Sequence, residues 1–242
     1  PPREERGAGI HRAVAARGGD TILAHPVNLR RPWTDPAPDG FVGFEALSLD
    51  SAFREAKANA PWRLALALGA LLGAPERTGA ILVERPAAAL ARYDALAARR
   101  DLALVCGVDA HGLPPYRASF GALRLHLEAP PSWGADPAAD AAALRAALRE
   151  ARTFCSVPAL GDASSFRFHA EAGVVEAAVE AAGVTLVLLR DGAEVARGPG
   201  PVLRAPAAPG AWRAEVLVDE PGFPWRPGAL WIVSSVRRVG PP

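Results

Sequence analysis

Two short stretches decide how this chain is read: Thr21-Ile22-Leu23-Ala24-His25-Pro26, and Leu102-Ala103-Leu104-Val105-Cys106-Gly107-Val108-Asp109-Ala110-His111. Each is an apolar run the size of a buried strand, and each ends in imidazole or carboxylate groups. Proline cannot continue a central strand, so the first run stops at His25-Pro26. Between the two lie a loop over 27–40 dense in Asn, Pro, Asp and Gly, and a strand over 41–47. An Ala/Leu-rich helix over 51–73 follows, broken at Pro61, then a helix over 86–100 with Pro86 near its first turn. Strand and helix patterns alternating in this way predict βαβ units, hence an α/β fold. A helix over 3–17 ending at Gly18-Gly19 precedes them. Beyond them come a strand over 121–128, a helix over 137–152 capped by Asp136 with Pro137 at its start, and a strand over 153–157.

Near residue 160 the character changes to short alternating runs separated by Gly/Pro turns. Strands are expected at 165–171, 174–180, 184–190, 193–197, 211–218 and 230–236. Arg190-Asp191-Gly192 reads as a hairpin turn, because Asp-Gly supplies the positive φ values of a tight turn. About seven strands in this length match an immunoglobulin-like sandwich. Neither Cys106 nor Cys155 lies there, so an antibody-type inter-sheet disulfide is excluded. The expected organisation is an α/β domain over 1–160 and an all-β sandwich over 161–242.

The 242 residues carry 27 basic and 26 acidic groups, a net charge of +1. Nothing in that balance favours a nucleic-acid backbone as partner. No apolar run reaches the length of roughly 18 residues that a membrane span needs, and no signal-peptide pattern opens the chain. Ala occurs 53 times, and Lys57 stands alone beside 26 arginines, a coding-bias signature. Two cysteines are too few for a disulfide scaffold. Cys106 reads as a packing group and Cys155 as unreactive. His126 and His169 read as ordinary, partly buried strand histidines.

The strand exits carry the chemistry. In parallel α/β barrels the C-terminal strand ends form one face, where active sites gather. His25 and Asp109-Ala110-His111 both sit at such exits. Imidazole suits zinc, iron or manganese, and a carboxylate adds charge for a hard divalent ion. In Asp-X-His both side chains leave an extended backbone on the same side, so they can reach one ion or bridge two. Glu45, at the end of the second strand, is a candidate to touch a metal, its water or the substrate, the alternative being a carboxylate that faces solvent. Arg30, Arg31 and Arg117 flank the exits and are candidate substrate-binding residues through their bidentate forks. No phosphate-cradling glycine loop or dinucleotide fingerprint is present.

These residues resemble a family. Gly18-Gly19-Asp20-Thr21-Ile22-Leu23-Ala24-His25-Pro26 is similar to the "GG…LAHP" strand of PHP-domain (polymerase and histidinol phosphatase) metallohydrolases, and Gly107-Val108-Asp109-Ala110-His111 resembles their "GSDAH" motif, with Val for Ser. Leu189-Arg190-Asp191-Gly192, Gly210-Ala211-Trp212-Arg213-Ala214-Glu215 and Leu230-Trp231-Ile232-Val233-Ser234-Ser235 resemble the tail of the carbaryl-hydrolase-like branch. Trp212 stands where that branch has Tyr, and Ser235-Val236 where it has Asn-Pro.

The resemblance implies the C-terminal portion of a distorted PHP-type (βα) barrel followed by an immunoglobulin-like domain. It implies His25, Asp109 and His111 as ligands of divalent zinc, manganese or iron. The implied reaction is hydrolysis of a small-molecule phosphoester, ester or amide/carbamate by metal-activated water. The family opens with a His-X-His strand, and only 24 residues precede His25 here. The upstream half of the barrel is therefore expected outside this chain as its partner. The rival reading is a non-catalytic, degenerate PHP protein whose sandwich binds a partner or glycan. Family members of this branch are often exported.

Overall fold

The apolar runs at 22–23, 43–48 and 103–107 pair side by side as a parallel sheet in the order β1-β2-β3. The strands are β1 (Ile22–Leu23), β2 (Gly43–Ser48) and β3 (Ala103–Gly107). The computed structural model of the chain describes residues 3–30, 32–34, 40–112, 115–128, 133–171 and 173–240, with backbone alone for 3–8. Around the sheet lie α1 (Arg3–Ala15), α2 (Leu49–Asn59), α3 (Pro61–Gly73), α4 (Thr78–Leu82), α5 (Ala87–Ala97), α6 (Tyr116–Phe120) and α7 (Pro137–Arg149). Pro61 divides the expected 51–73 helix into α2 and α3, as an imino acid without a donor must. The helix at 137 opens as read: Asp136 Oδ1 accepts from the Ala138 N–H at 2.9 Å, with Pro137 in the first turn. The sequence reading missed α4 and α6, each five residues long, too short to show a helical period.

The remaining strands are β4 (Arg124–Leu127), β5 (Thr153–Ser156), β6 (Arg167–Glu171), β7 (Val174–Ala178), β8 (Val184–Arg190), β9 (Ala193–Pro199), β10 (Val202–Pro206), β11 (Gly210–Val218), β12 (Ala229–Ser234) and β13 (Arg237–Val239). They form two antiparallel sheets. One has three strands in the order β10-β7-β6; the other runs β4-β5-β12-β11-β8-β9, with β13 also on β11. The expected boundary at residue 160 falls inside the larger sheet, because β4 and β5 join it through the β5–β12 pairing. The Asp191-Gly192 turn joins β8 to β9 as expected, with φ of 51° and 81°.

The larger sheet is the middle layer of the molecule. On one face Val187, Leu189, Ala211, Leu217 and Val233 enter the core shared with α5 and the parallel sheet. On the other, Leu186, Leu188, Trp212, Ala214, Val216 and Ile232 meet Phe166, Phe168, Val175 and Ala177 of the smaller sheet. That double burial explains why β8, β11 and β12 are buried almost throughout, and apolar apart from Arg213 and Glu215 on β11 and the polar ends; a half-solvated sheet alternates. The chain is thus a mixed α/β protein.

Side chains close the seam between the layers. Leu104 N–H donates to Ser235 Oγ (2.8 Å), Thr153 Oγ1 donates to Leu104 O (2.9 Å), and the two hydroxyls lie 2.7 Å apart. These bonds satisfy both backbone groups of Leu104 on the outer edge of β3, which has no strand partner on that side among the described residues. Cys106 and Cys155 meet at the same seam with a Cα separation of 6.1 Å and form a disulfide. This corrects the reading of Cys106 as a mere packing group. The pairing joins positions 49 residues apart, invisible before β3 and β5 are juxtaposed. Among the described residues no helix is long and apolar enough to cross a membrane.

Candidate functional site at the exits of the parallel strands

One functional group comes from each strand of the parallel sheet. His25 follows β1, Glu45 lies within β2, and Asp109 follows β3. His25 and Asp109 both turn the chain with positive φ, 52° and 45°. Side chains with a Cβ rarely adopt that conformation, although Asp and His tolerate it better than most. The two turns swing the side chains toward each other, leaving His25 Nε2 3.6 Å from Asp109 Oδ2. Residues 84 positions apart in sequence thus face across the sheet's C-terminal edge.

Glu45 is the pivot. Its Oε2 accepts the His25 backbone N–H at 2.8 Å and lies 3.2 Å from His25 Nδ1. The Ser48 hydroxyl approaches the same nitrogen at 3.2 Å. The imidazole is therefore held on its Nδ1 side, and its Nε2 is turned toward Asp109. Glu45 is buried, and burial pushes its carboxyl above the ordinary value. The His25 contacts oppose that rise, while Asp109 and Asp50 reinforce it. Ser48 also caps α2, its Oγ accepting from Ser51 N–H at 3.5 Å. The carboxylate has room because residue 107 is glycine: a Cβ there would run into Glu45 Oε1. Gly107→Ala is expected to fold normally, since only the mobile end of Glu45 must yield, but to displace that carboxylate from His25. Histidine NMR in the purified variant would show it as a changed His25 ring signal; an unchanged signal would refute the packing argument.

Several supports rest on contacts that residue order does not show. Asn28 Nδ2 and Arg54 Nε each donate to Asp50 Oδ2 at 2.7 Å. Burial works to raise the Asp50 carboxyl, but these two donors outweigh it and hold it below its ordinary value. Arg92 Nη1, from α5, donates to the carbonyls of Pro26 and Trp33, both at 2.7 Å, and pins the loop after His25. A cavity of about 460 Å³ is lined by Glu45 and Ser48 together with Arg63 and Glu84. Arg63 is 2% exposed. Its Nη1 pairs with Glu84 at 2.5 Å, while its Nε has no hydrogen-bond acceptor among the described residues. Long-range contacts of this kind leave no local signal, because every arginine reads alike in a chain with 26 of them.

Of the other expected residues, His111 stays within reach of Asp109, while Arg30 and Arg117 lie on the exposed surface. The His111 side chain is 74% exposed, with Nε2 3.7 Å from Asp109 Oδ1 and Nδ1 2.5 Å from the Asp109 carbonyl. Arg30 is exposed and contributes its backbone N–H to Asn28 Oδ1. Arg117 is exposed on α6. Arg31 lies outside the described residues.

His25 Nε2 and Asp109 Oδ2 are separated by about the span that two ligands of one ion require, given metal–ligand bonds of about 2.0–2.2 Å. An imidazole fixed through its other nitrogen by a carboxylate is also the usual arrangement of a metal-binding histidine. The donor chemistry therefore fits a divalent ion. Among the described residues, no three or more His, Cys, Asp or Glu groups are gathered as a complete metal-holding set. No protein-family model, curated protein or solved structure matches the chain.

Proposed function

We propose that the chain is the C-terminal portion of a PHP-type metal-dependent hydrolase, with an immunoglobulin-like sandwich behind it. The proposed reaction is hydrolysis of a small-molecule phosphoester, ester or amide/carbamate. The observation that carries this reading is the placement of His25, Glu45 and Asp109 on three neighbouring parallel strands, with His25 Nε2 and Asp109 Oδ2 3.6 Å apart. Backbone in rare conformations concentrates at functional sites, and both flanking turns are of that kind.

His25 and Asp109 are the proposed ligands, joined by His111 on rotation of its exposed ring. A bound zinc, manganese or iron ion would supply a nucleophilic water at neutral pH and polarise the scissile carbonyl or phosphoryl oxygen. Glu45 and Ser48 orient the His25 ring and keep its Nε2 free to bind. The raised affinity of Glu45 for a proton suits it to hold one on the floor of the site. Arg63 offers a buried guanidinium to an oxygen of the substrate within the adjoining cavity.

Elemental analysis of the purified chain, beside Asp109→Ala and His25→Ala, tests the reading. Near-stoichiometric zinc, manganese or iron is expected in the parent and less than a tenth of it in either variant. The parent is further expected to hydrolyse a 4-nitrophenyl ester or phosphate in a chelator-sensitive way. A parent chain that stays metal-free after incubation with excess ion would remove the hypothesis.

A further inference from the structure

A second cleft, of about 460 Å³, lies where the antiparallel β4–β5 pair of the larger sheet faces β6, the edge strand of the smaller one. One part of its lining is aromatic. The His126 ring stacks on Phe154 with centroids 4.3 Å apart and planes 5° from parallel. Phe166 meets Phe154 edge-on at 4.9 Å. Ser156 Oγ lies 2.8 Å from His126 Nε2 and fixes the ring, so the platform is built before any ligand arrives.

The other part is cationic. Arg152, Arg167 and Arg237 line the cleft against one carboxylate, Glu128. Glu128 is taken by Arg237 at 3.1 Å and lies 3.7 Å from Arg152, which also bonds Glu150. Arg167 differs from both. Its Nη1 donates to the carbonyls of Ser164 and Phe166, each at 2.8 Å, which holds the guanidinium in place without neutralising it. Among the described residues no carboxylate pairs with it, and its Nε and Nη2 have no acceptor. His169 stands two residues further along β6, exposed on the same face as Arg167.

We propose that this cleft binds a small aromatic oxyanion, its ring against the half-buried His126–Phe154 pair, which Phe166 backs from the core, and its carboxylate or phosphate on the free edge of Arg167. The volume suits a small organic molecule. A guanidinium edge carries two parallel donors that match two oxygens of such a group. An anion without a ring would leave the aromatic platform uncovered, and a neutral ring would leave the Arg167 charge unpaired. The site is separate from the strand exits and independent of any reaction there.

The five histidines make the test direct, since each ring can be assigned by single substitution. The full chain, freed of metal by chelation and dialysis, is titrated with benzoate and with phenyl phosphate while the ring proton signals are followed. At least one probe is expected to shift His126 and His169 saturably and leave His25 and His111 in place; which one does so identifies the oxyanion. Acetate and benzyl alcohol are each expected to bind at least tenfold more weakly. Arg167→Gln, an exposed change, is expected to weaken the active probe at least tenfold with unchanged Tm. The proposal is overturned if neither probe saturates, if acetate binds as well as benzoate, if the shifts fall on His25 and His111 instead, or if Arg167→Gln binds as the parent does.

Discussion

Arg213→Met is expected to cost about 3–5 kcal/mol of stability, the usual cost of removing one partner from a buried charge network. Arg213 is 1% exposed on β11, an unusual place for a guanidinium. Its Nε and Nη2 donate to the two Asp94 carboxylate oxygens at 2.6 and 2.9 Å, and its Nη1 donates to Glu215 Oε1 at 2.5 Å. Arg85 completes the set with two 2.8 Å bonds to Glu215. Two cations thus balance two anions between α5 and the middle sheet. The carboxylates hold the Arg213 proton even more firmly than usual, despite burial. Methionine fills the volume but leaves Asp94 buried without a cation and Glu215 with Arg85 alone.

The acid response gives this expectation a sign. Burial works to raise the Glu215 carboxyl, but Arg85 and Arg213 outweigh it and hold it below its ordinary value. A depressed acid stabilises the fold above its unfolded pKa, and that contribution is lost as pH falls through the folded value. In the parent, acidification through that range therefore weakens this part of the core. In Arg213→Met Asp94 alone is left as a buried carboxylate without a cation, a cost that protonation removes, so acidification from neutrality relieves the defect. Urea denaturation at pH 7 and pH 5 reads both effects: a large loss at pH 7 that narrows at pH 5. A loss below about 1 kcal/mol at pH 7 would mean that the network contributes little beyond what methionine packing replaces.

Opening the Cys106–Cys155 bridge carries the second large effect. A cross-link over 49 positions restricts the unfolded chain by about 4 kcal/mol in the chain-entropy account. The bridge also ties β3, whose exit holds Asp109, to β5 of the middle sheet. Cys155→Ser is expected to lower the urea midpoint by a corresponding amount, and reduction of the parent should reproduce the shift. Thiol titration of the unreduced, denatured parent should find no free thiol. Two titratable thiols, or equal midpoints for parent and variant, would show that the cysteines do not form this link in solution.

The two large effects bear on the strand exits. The network fixes α5, from which Arg92 pins the loop behind His25. The bridge fixes the strand that delivers Asp109. The geometry of the exits therefore rests on the middle sheet, which lies later in the chain than any of the candidate ligands.

Much of this was legible in residue order. Pro26 ended one strand, Pro61 split a helix, Asp136-Pro137 opened another and Asp191-Gly192 turned a hairpin, because each acts through its own backbone or its nearest neighbours. The apolar runs before His25 and Asp109 were visible as strands for the same local reason, and with them the two residues at their exits. What tertiary structure decided is everything that depends on distance across the chain. The β5–β12 pairing carried a single sheet through the change of pattern at residue 160. Burial from both sides, not alternation, set the composition of β8, β11 and β12. The opposition of His25 to Asp109, the burial of Glu45 over Gly107, the pairing of the cysteines and the seating of Arg213 required strands to be placed side by side. Local sequence sets the dihedral angles of each turn and strand, while contacts between residues many positions apart are set by how the layers pack.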